Sequence, residues 1–326
     1  MFDLSIQKST KKTPFNDVDL WDFLIVGGGP AGLNAALYAK RKGLNVGLIT
    51  KEIGGQLHNT TWVDNYAGFK DIEGKDLSDK LYDHVMSLDV PMLQNVRIQH
   101  VTHDGLNYHV HLDDERVFKA KTLLYAAGGR PRYLEIMGET AFANRGVSYC
   151  TTCDAPFFKD QHVIVAGGGN SAAEAVLDLV PWAKKITVIH RSQWRADQIL
   201  LDKLDKIDKL EVHLNTQLLE VMGDQKMTGV RALNKTTMED ITVTADGLFI
   251  EIGNEPNSDL IKDLVELNER HEVLVDDQQA TSLPGLFAAG DVTNQPYKQI
   301  IISVAEGAKA ALAANHYLNH TYKERN

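Results

Sequence analysis

The chain has 326 residues and a formal net charge of −10, from 34 basic and 44 acidic residues. Hydrophobic residues make up 43% and charged residues 24%, which is typical of globular proteins and excludes a disordered, collagen-like or coiled-coil chain. The acidic balance argues against nucleic acid or an anionic membrane as a partner. No apolar run approaches the roughly 18 residues of a membrane span, and residues 1–22 lack a secretory signal pattern, so we expect a cytoplasmic protein without a membrane partner.

Two stretches of the chain repeat the order strand, glycine-rich turn, helix, strand. In the first stretch, a predicted strand at 21–26 leads into the turn 27–32, which opens a predicted helix. In the second, a predicted strand at 162–166 leads into the turn 167–172. Alternating polar and apolar segments after each repeat predict a small β-meander.

The end of the chain predicts a return to the first repeat. The apolar run 285–291 is followed by a long predicted helix over 298–318. We therefore predict an α/β protein with two Rossmann-like dinucleotide-binding domains, each with a small β-meander, the second inserted in the first. Residues 1–130 and 259–326 would form the first domain, and residues 131–258 the second.

Both turns have the context that gives a glycine-rich motif its meaning, because each follows a strand and opens a helix. Glycine permits a tight turn and the close approach of a pyrophosphate, and the helix N-terminus offers unpaired N–H groups. Ala172 replaces the last glycine of the second copy, at a position that requires only close helix–strand packing. Unless the turns serve packing alone, two copies indicate two different dinucleotides.

The two cysteines, Cys150 and Cys153, have Cys-x-x-Cys spacing. In a cytosolic chain with βαβ patterns this spacing indicates a redox-active pair. Asp154 follows directly, and its carboxylate can move the proton that accompanies the electrons. The alternatives are a structural thiol pair or half of a metal site. Because no histidine has ligand spacing near the pair, we expect no metal.

The order of these motifs resembles the low-molecular-weight thioredoxin reductases, within the wider family of flavoprotein disulfide oxidoreductases. The resemblance covers residues 23–318. Its landmarks are the turn 27–32, Gly54-Gly55-Gln56-Leu57, Asp64-Asn65-Tyr66, Ala126-Ala127-Gly128, Cys150 and Cys153 with Asp154, the turn 167–172, Gly253 with Pro256-Asn257, and Ala289-Gly290-Asp291 with Lys298-Gln299. Residues 297–302 are also similar to the flavoprotein component of alkyl hydroperoxide reductase, whose extra N-terminal thioredoxin-like domain this chain is too short to contain.

The resemblance implies FAD on the first domain and NADPH on the second. The FAD-binding positions carried over are Gly27, Gly29, Pro30, Ala31, Gly32, Gln56, Asn65, Gly128, Gly290, Asp291, Gln299 and Ile300. The NADPH-binding positions are Gly167, Gly169, Asn170, Ser171, Ala172, Arg191 and Arg195.

The resemblance also implies an electron relay from NADPH through FAD to the Cys150–Cys153 disulfide, and on to thioredoxin or a thioredoxin-like protein. Cys153 would be the thiol next to the flavin, Cys150 would attack the disulfide of the partner, and Asp154 would be the acid/base. A rotation of one domain would let the nicotinamide and the cysteines reach the flavin in turn. A homodimer is expected from the family.

The sequence departs from the family where the nucleotide phosphate would be read. The family pattern is His-Arg-Arg, three residues, then Arg, whereas this chain has His190-Arg191-Ser192-Gln193-Trp194-Arg195. Two guanidinium groups still suit a 2′-phosphate, so we expect NADPH as the electron donor. The alternatives are NADH, or no pyridine nucleotide at all, as in relatives that take electrons from ferredoxin. Another dithiol or disulfide partner, a dithiol oxidase that uses oxygen, and a non-catalytic flavin- or nucleotide-sensing module also remain open.

Overall fold

The computed structural model describes residues 15–325. The strands, in chain order, are β1 Trp21–Gly28, β2 Val46–Ile53, β3 Trp62–Val63, β4 Ile72–Glu73, β5 Met92–Leu93, β6 Ile98–His103, β7 Tyr108–Leu112, β8 Val117–Tyr125, β9 Gly129–Pro131, β10 Val147–Ser148, β11 His162–Ala166, β12 Lys185–Ile189, β13 Leu210–His213, β14 Thr216–Gly223, β15 Met227–Asn234, β16 Asp240–Thr244, β17 Gly247–Ile250, β18 Asn254–Pro256 and β19 Leu286–Ala288. The α-helices are α1 Pro30–Arg41, α2 Gly74–Met86, α3 Thr151–Asp154, α4 Asn170–Leu179, α5 Gln198–Leu204 and α6 Ile300–Arg325. The chain divides into two compact units, of which the first runs to Arg130 and resumes at Glu255, and the second is Pro131–Asn254.

The first unit is built on one mixed sheet in the order β5-β2-β1-β8-β7-β6, with β19 also paired to β8. Strand β1 lies parallel to β2 and β8, while β6, β7 and β8 form an antiparallel meander. The long strand β8 joins these parts, because its first half pairs with β7 and its second half with β19. The predicted meander is therefore an extension of the parallel sheet.

Helices cover one face of this sheet. The side chains of α1, α2 and α6 share a buried apolar cluster with residues of β1 and β2, including Phe23, Ile25 and Leu48. Helices α1 and α6 approach so closely that a Cβ on Gly307 would lie 2.0 Å from the carbonyl oxygen of Ala31. Small residues at this crossing let the C-terminal helix complete the first unit.

The second unit has a five-stranded parallel sheet in the order β10-β17-β11-β12-β13 and a separate antiparallel sheet β14-β15-β16. Helices α4 and α5 pack on one face of the parallel sheet, and the antiparallel sheet packs on the other. The central strands read as continuous apolar runs, as expected for strands that are buried on both faces. Together the two units confirm the predicted α/β fold with two Rossmann-like halves.

The chain returns from the second unit to the first after Asn254, four residues before the predicted boundary at 258. Asn257 belongs to the first unit because its backbone N–H bonds the carbonyl of Gly128 at 3.0 Å and its carbonyl accepts the hydroxyl of Tyr125 at 2.6 Å. Residues 1–14, where no secretory signal is predicted, lie outside the described residues. Within residues 15–325, the helices are too short or too polar to cross a membrane.

Candidate active site

The first glycine-rich turn connects β1 to α1 and is shaped by contacts that exclude side chains. Gly27 has a φ of +114°, and a Cβ there would lie 2.2 Å from the carbonyl oxygen of Ala126. A Cβ on Gly32 would lie 1.9 Å from the carbonyl oxygen of Gly27. Gly29 differs, because a Cβ there would meet nothing within 4 Å. The turn is therefore tightly packed against the backbone at Gly27 and Gly32 and open at Gly29.

The polar residues that the sequence assigns to FAD meet in two hydrogen-bonded pairs from distant parts of the first unit. The Gln56 amide donates to the Asp291 carboxylate at 2.9 Å. The Asn65 amide donates to the Gln299 side-chain oxygen at 3.2 Å. In each pair, the structure brings together two side chains that are more than two hundred residues apart in the sequence.

Burial raises the pKa of Asp291 above its ordinary value, and the charge of Lys298 and the bond from Gln56 oppose that rise. The Lys298 ammonium is held by the Glu272 carboxylate at 3.1 Å and by the carbonyl of Thr293. The Gly290 N–H, one residue before Asp291, donates to the buried carboxylate of Glu306 at 2.7 Å. The loop that carries Asp291 is thereby fixed by ionic hydrogen bonds.

This part of the first unit fits FAD. Gly29 and Gly128 both face open space. At Gly29, in the glycine-rich turn, a Cβ would project into the region that a pyrophosphate must approach. The first turn of α1, with Pro30 at its start, presents N–H groups that no helical carbonyl can satisfy. Gln299 caps α6, since its carbonyl accepts the N–H of Ser303 at 2.9 Å, and Ile300 is the first helical residue. The amides of Gln56 and Asn65 add the donors and acceptors that ribitol and flavin atoms require.

The second glycine-rich turn connects β11 to α4 and repeats the geometry of the first. A Cβ on Gly167 would lie 2.3 Å from the carbonyl oxygen of Glu251, and Gly169 faces open space. Ala172 is fully buried, consistent with a packing role, and Ser171 is exposed. A side chain is excluded at Gly168 by a different contact, because a Cβ there would lie 2.2 Å from the ring of His190.

The loop after β12 carries the two arginines assigned to the nucleotide phosphate. Arg191 and Arg195 are both exposed, and the Arg195 backbone N–H donates to the carbonyl of Gly168 at 2.7 Å. That bond holds the loop against the second glycine-rich turn. Beneath it, burial and the two arginines lower the pKa of His190. The His190 ring therefore packs against Gly168, a contact that the sequence pattern did not reveal.

Asn170 opens α4 and is engaged within the unit. Its amide group donates to the Asp197 carboxylate at 2.8 Å, and its side-chain oxygen accepts the Asp197 N–H at 2.8 Å. This pair of hydrogen bonds ties the start of α4 to the start of α5. The predicted nucleotide residues of the second unit therefore lie on one connected edge, at the carboxyl ends of β11 and β12.

Cys150 and Cys153 are joined as a disulfide at the start of α3, and both are partly exposed. The Cys153 N–H points to the Cys150 sulfur at 3.2 Å, so that Cys150 caps the short helix. Asp154 is held by the hydroxyl of Ser148, which donates to its carboxylate at 2.6 Å. The same hydroxyl oxygen accepts the Cys150 N–H at 3.1 Å.

Sequence patterns missed three residues that fix this segment, namely Ser148, Glu139 and Glu251. Glu139 is only 1% exposed and accepts the hydroxyl of Tyr149 at 3.0 Å as well as backbone N–H groups. Burial and the Glu139 charge raise the pKa of Tyr149 above its ordinary value. Glu251 accepts two hydrogen bonds from Thr151. No sequence motif marks these residues. Ser148 and Glu139 act on near neighbours in the chain, and Glu251 acts on a residue 100 positions away.

Comparison with known proteins places these features in one group. A family model described as pyridine nucleotide-disulphide oxidoreductase matches residues 21–307. The F subunit of alkyl hydroperoxide reductase from Staphylococcus epidermidis is 40% identical over 305 residues, which are 93% of this chain and 60% of that protein. This chain therefore spans about 60% of the length of the curated relatives it matches.

Two solved structures are similar over nearly their whole length. Thioredoxin reductase from Streptococcus pyogenes matches with a TM-score of 0.88 and 37% identity, over 92% of this chain and 99% of that one. Thioredoxin reductase from Giardia duodenalis matches with a TM-score of 0.88 and 28% identity, over 93% of this chain and 100% of that one. These matches confirm the resemblance that the sequence motifs indicated.

Proposed function

This chain belongs to the pyridine nucleotide-disulphide oxidoreductase family and is an FAD-dependent oxidoreductase, and we propose that it is a thioredoxin-disulfide reductase that uses NADPH. The two electrons would reach the Cys150–Cys153 disulfide and then a thioredoxin-like protein. FAD, when bound, supplies a carrier that accepts hydride from a nicotinamide and delivers electrons to a disulfide. The residues that would hold it are those of the first glycine-rich turn with Gln56, Asn65, Asp291 and Gln299.

The observation that carries the proposal is the setting of the cysteine pair. The disulfide is partly exposed, begins a short helix and lies beside a carboxylate, that of Asp154, which Ser148 orients at 2.6 Å. A disulfide kept only for stability has no need of an oriented carboxylate. A pair that exchanges electrons does need one, because each reduced sulfur must gain or lose a proton near neutral pH.

The proposed exchange balances electrons and protons at each step. Two electrons break the Cys150–Cys153 bond. Of the two protons that accompany them, one goes to a sulfur and one to a carboxyl group of the segment, which leaves one thiol and one thiolate. The Cys150 sulfur, as thiolate, attacks the partner's disulfide and forms a mixed disulfide, and one partner sulfur leaves with a proton. Cys153 then attacks the Cys150 sulfur, which restores the internal disulfide and releases the second partner thiol. Asp154 accepts and returns the proton of the attacking thiol.

NADPH is proposed as the donor because of the charge around the second turn. Arg191 and Arg195 are exposed beside it, and a guanidinium group binds a phosphate through charge-assisted hydrogen bonds. No acidic residue directly follows Ile189 at the end of β12, the position where an NADH-binding domain carries a carboxylate that binds the ribose 2′-hydroxyl. Both features favour a 2′-phosphate over a 2′-hydroxyl.

A second candidate is the reductase role in alkyl hydroperoxide reduction. It is favoured by the 40% identity to the F subunit of alkyl hydroperoxide reductase. Under this alternative the Cys150–Cys153 pair would pass its electrons to a thiol peroxidase, directly or through a separate thioredoxin-like protein.

Anaerobic mixing of the purified holoprotein with NADPH, and separately with NADH, tests the donor. Flavin absorbance at about 450 nm reports reduction. We expect rapid bleaching with NADPH and bleaching at least about tenfold slower with NADH, since a lost phosphate contact is worth roughly tenfold or more. Equal bleaching by both would remove the NADPH preference, and reduction by dithionite alone would refute a nicotinamide donor.

The partner is tested by supplying oxidised thioredoxin or an oxidised thiol peroxidase to the reduced protein. Wild type is expected to reduce thioredoxin, while C150S and C153S, each still bleached by NADPH, are expected to reduce neither partner. Reduction of the peroxidase without thioredoxin would favour the second candidate. We also propose that the protein is a cytoplasmic homodimer. Sedimentation equilibrium at micromolar concentration tests the dimer, and a measured mass equal to that of a single chain would contradict it.

A further inference from the structure

Glu251 directly follows β17 and reaches into the redox segment of the second unit. Its Oε1 atom accepts the Thr151 hydroxyl at 2.6 Å and the Thr151 backbone N–H at 3.3 Å. Thr151 is buried and is the residue next to Cys150. The carboxyl therefore holds the first residue of α3, between the two cysteines, through both of its donors.

The internal repeat shows that the fold does not require a carboxyl at this position. In the first unit, the glycine that opens the turn packs against the carbonyl oxygen of Ala126, where a Cβ on Gly27 would lie 2.2 Å away. In the second unit, Gly167 packs in the same manner against the carbonyl oxygen of Glu251, at 2.3 Å. The shared role belongs to the backbone, so the side chain of Glu251 is free to serve another purpose.

The surroundings of Glu251 favour its neutral form. The charged groups that act on it from α4 are Glu174 and Asp178, both acidic. On α3 it contacts Thr151, and Asp154 follows within the same helix. The neighbouring strand β10 has no charged residue, and in β11 the titratable residue His162 lies at the opposite end. Burial raises the pKa of Glu251 to about 7. The two hydrogen bonds from Thr151 oppose this rise, and the acids of α4 add a smaller contribution to it.

We propose that Glu251 is a positioning residue that holds the Cys-x-x-Cys segment through Thr151 and takes up a proton when the Cys150–Cys153 disulfide is reduced. Two electrons break the S–S bond, one proton goes to one sulfur, and the other sulfur remains a thiolate. The second proton goes to the Glu251 carboxyl, because a new negative charge nearby disfavours a second one. On reoxidation by a disulfide substrate, the thiol proton and the Glu251 proton leave together with the two electrons, and the substrate disulfide becomes two thiols.

The two hydrogen bonds from Thr151 permit this proton transfer without a change in position. Both end on Oε1, so the proton is held at Oε2, and Oε1 remains an acceptor in either protonation state. Glu251 therefore keeps α3 in place while its charge changes. The inference rests on disulfide exchange by the cysteine pair in the proposed function, and it does not depend on the identity of the partner.

The test compares wild type, E251Q and a control, D224N, which removes an exposed carboxylate from the turn after β14. Each holoprotein is equilibrated in buffers of oxidised and reduced dithiothreitol from pH 5.5 to 8.5. The thiols are then alkylated, and mass spectrometry gives the dithiol-to-disulfide ratio of the cysteine pair directly. Since all variants share the same buffer, the ratio relative to wild type cancels the pH dependence of dithiothreitol.

E251Q retains an amide oxygen for Thr151 but cannot ionise. We expect it to favour the dithiol by roughly three- to tenfold at pH 8.5, where wild-type Glu251 is charged, since a coupling of half to one pKa unit corresponds to that factor. At pH 5.5, where wild-type Glu251 is protonated, we expect less than about a twofold difference. D224N should match wild type throughout.

The quantity that decides is the dithiol-to-disulfide ratio of E251Q divided by that of wild type. If this quotient does not vary with pH, the proposal is overturned, even if E251Q is less active. If E251Q fails to fold, E251A replaces it, because the equivalent position of the first unit is Ala126. E251A should show the same pH-dependent difference. A cysteine pair that dithiothreitol does not reduce at any pH would refute both this inference and the redox role, whereas a normally reduced pair with a constant ratio would refute this inference alone.

Discussion

Ser148 donates its hydroxyl proton to the carboxylate of Asp154 across 2.6 Å, while its oxygen accepts the backbone N–H of Cys150 at 3.1 Å. One buried hydroxyl thereby connects the proposed acid/base to the cysteine that would attack the partner. The connection fixes the orientation of Asp154 relative to the disulfide, which is the geometric condition for proton transfer.

Replacement of this hydroxyl should therefore slow disulfide exchange and leave flavin reduction unchanged. We expect S148A to lower the rate of partner reduction about tenfold, less than the roughly hundredfold or more that an acid–base group itself contributes, because Asp154 is retained and loses only its orientation. It should also lower the free energy of unfolding by about 1 to 2 kcal/mol, because a hydrogen bond to a carboxylate is lost. Stopped-flow measurement of the two half-reactions separates the steps. S148T, which retains the hydroxyl, should recover most of the rate, and an equal loss in both half-reactions would contradict the role of Ser148.

The open face of the first glycine-rich turn predicts selective loss of FAD. Gly29 has extended backbone angles that any residue can adopt, and its Cβ would meet nothing within 4 Å. We therefore expect G29V to fold normally but to retain less than about a tenth of the flavin, because its side chain fills the approach of the pyrophosphate. The ratio of absorbance at the flavin band to that of the protein measures this, with circular dichroism as the check on folding.

The matched change in the second turn is G169V, which has the same open environment and extended backbone. We expect this variant to be yellow, with the flavin content of wild type, and to be reduced by dithionite but not by NADPH. Colour in G29V, or bleaching of G169V by NADPH at the wild-type rate, would show that these turns do not bind the dinucleotides assigned to them.

The exposed arginines beside the second turn predict the donor preference. We expect the double variant R191A/R195A to lower kcat/KM for NADPH by about 100-fold, since each charge-assisted contact contributes about 1.5 kcal/mol. The value for NADH should change less than threefold, about 0.6 kcal/mol. The loop should keep its position because the bond from residue 195 to Gly168 uses the backbone. K203A, which removes an exposed lysine of α5, is the control, and a parallel loss for both nucleotides would contradict phosphate recognition.

The raised pKa of Glu251 predicts a dependence of stability on pH. The folded protein has a pKa of about 7 at this carboxyl against the ordinary value of 4.5, so the stability it contributes is complete below pH 4.5 and is lost as the pH rises towards 7. E251Q removes this dependence. Relative to wild type, its free energy of unfolding should rise between pH 4.5 and 8, by at most about 3 kcal/mol. Thermal unfolding across that range gives the difference, and a constant difference would contradict the burial of this charge.

Much of the fold follows from local sequence. The strands and helices of both repeats, and the close contacts of Gly27, Gly32 and Gly167, occur where the glycine pattern predicts them, because backbone geometry at a tight turn excludes side chains. The helix proposed from Lys298 onward is present, beginning at Ile300. The predicted meander of the first unit is present, and it is continuous with the parallel sheet because β8 is long enough to pair with both β7 and β19.

The sequence by itself determined the two Rossmann-like halves, the paired glycine-rich turns and the Cys150–Cys153 spacing, because each depends on the order of neighbouring residues. Only the tertiary structure decided the partners of the polar side chains: Gln56 with Asp291, His190 beneath Gly168, and Glu251 with Thr151. The physical reason is that these contacts join segments remote in the chain. The contacts form only once the sheets have brought those segments together.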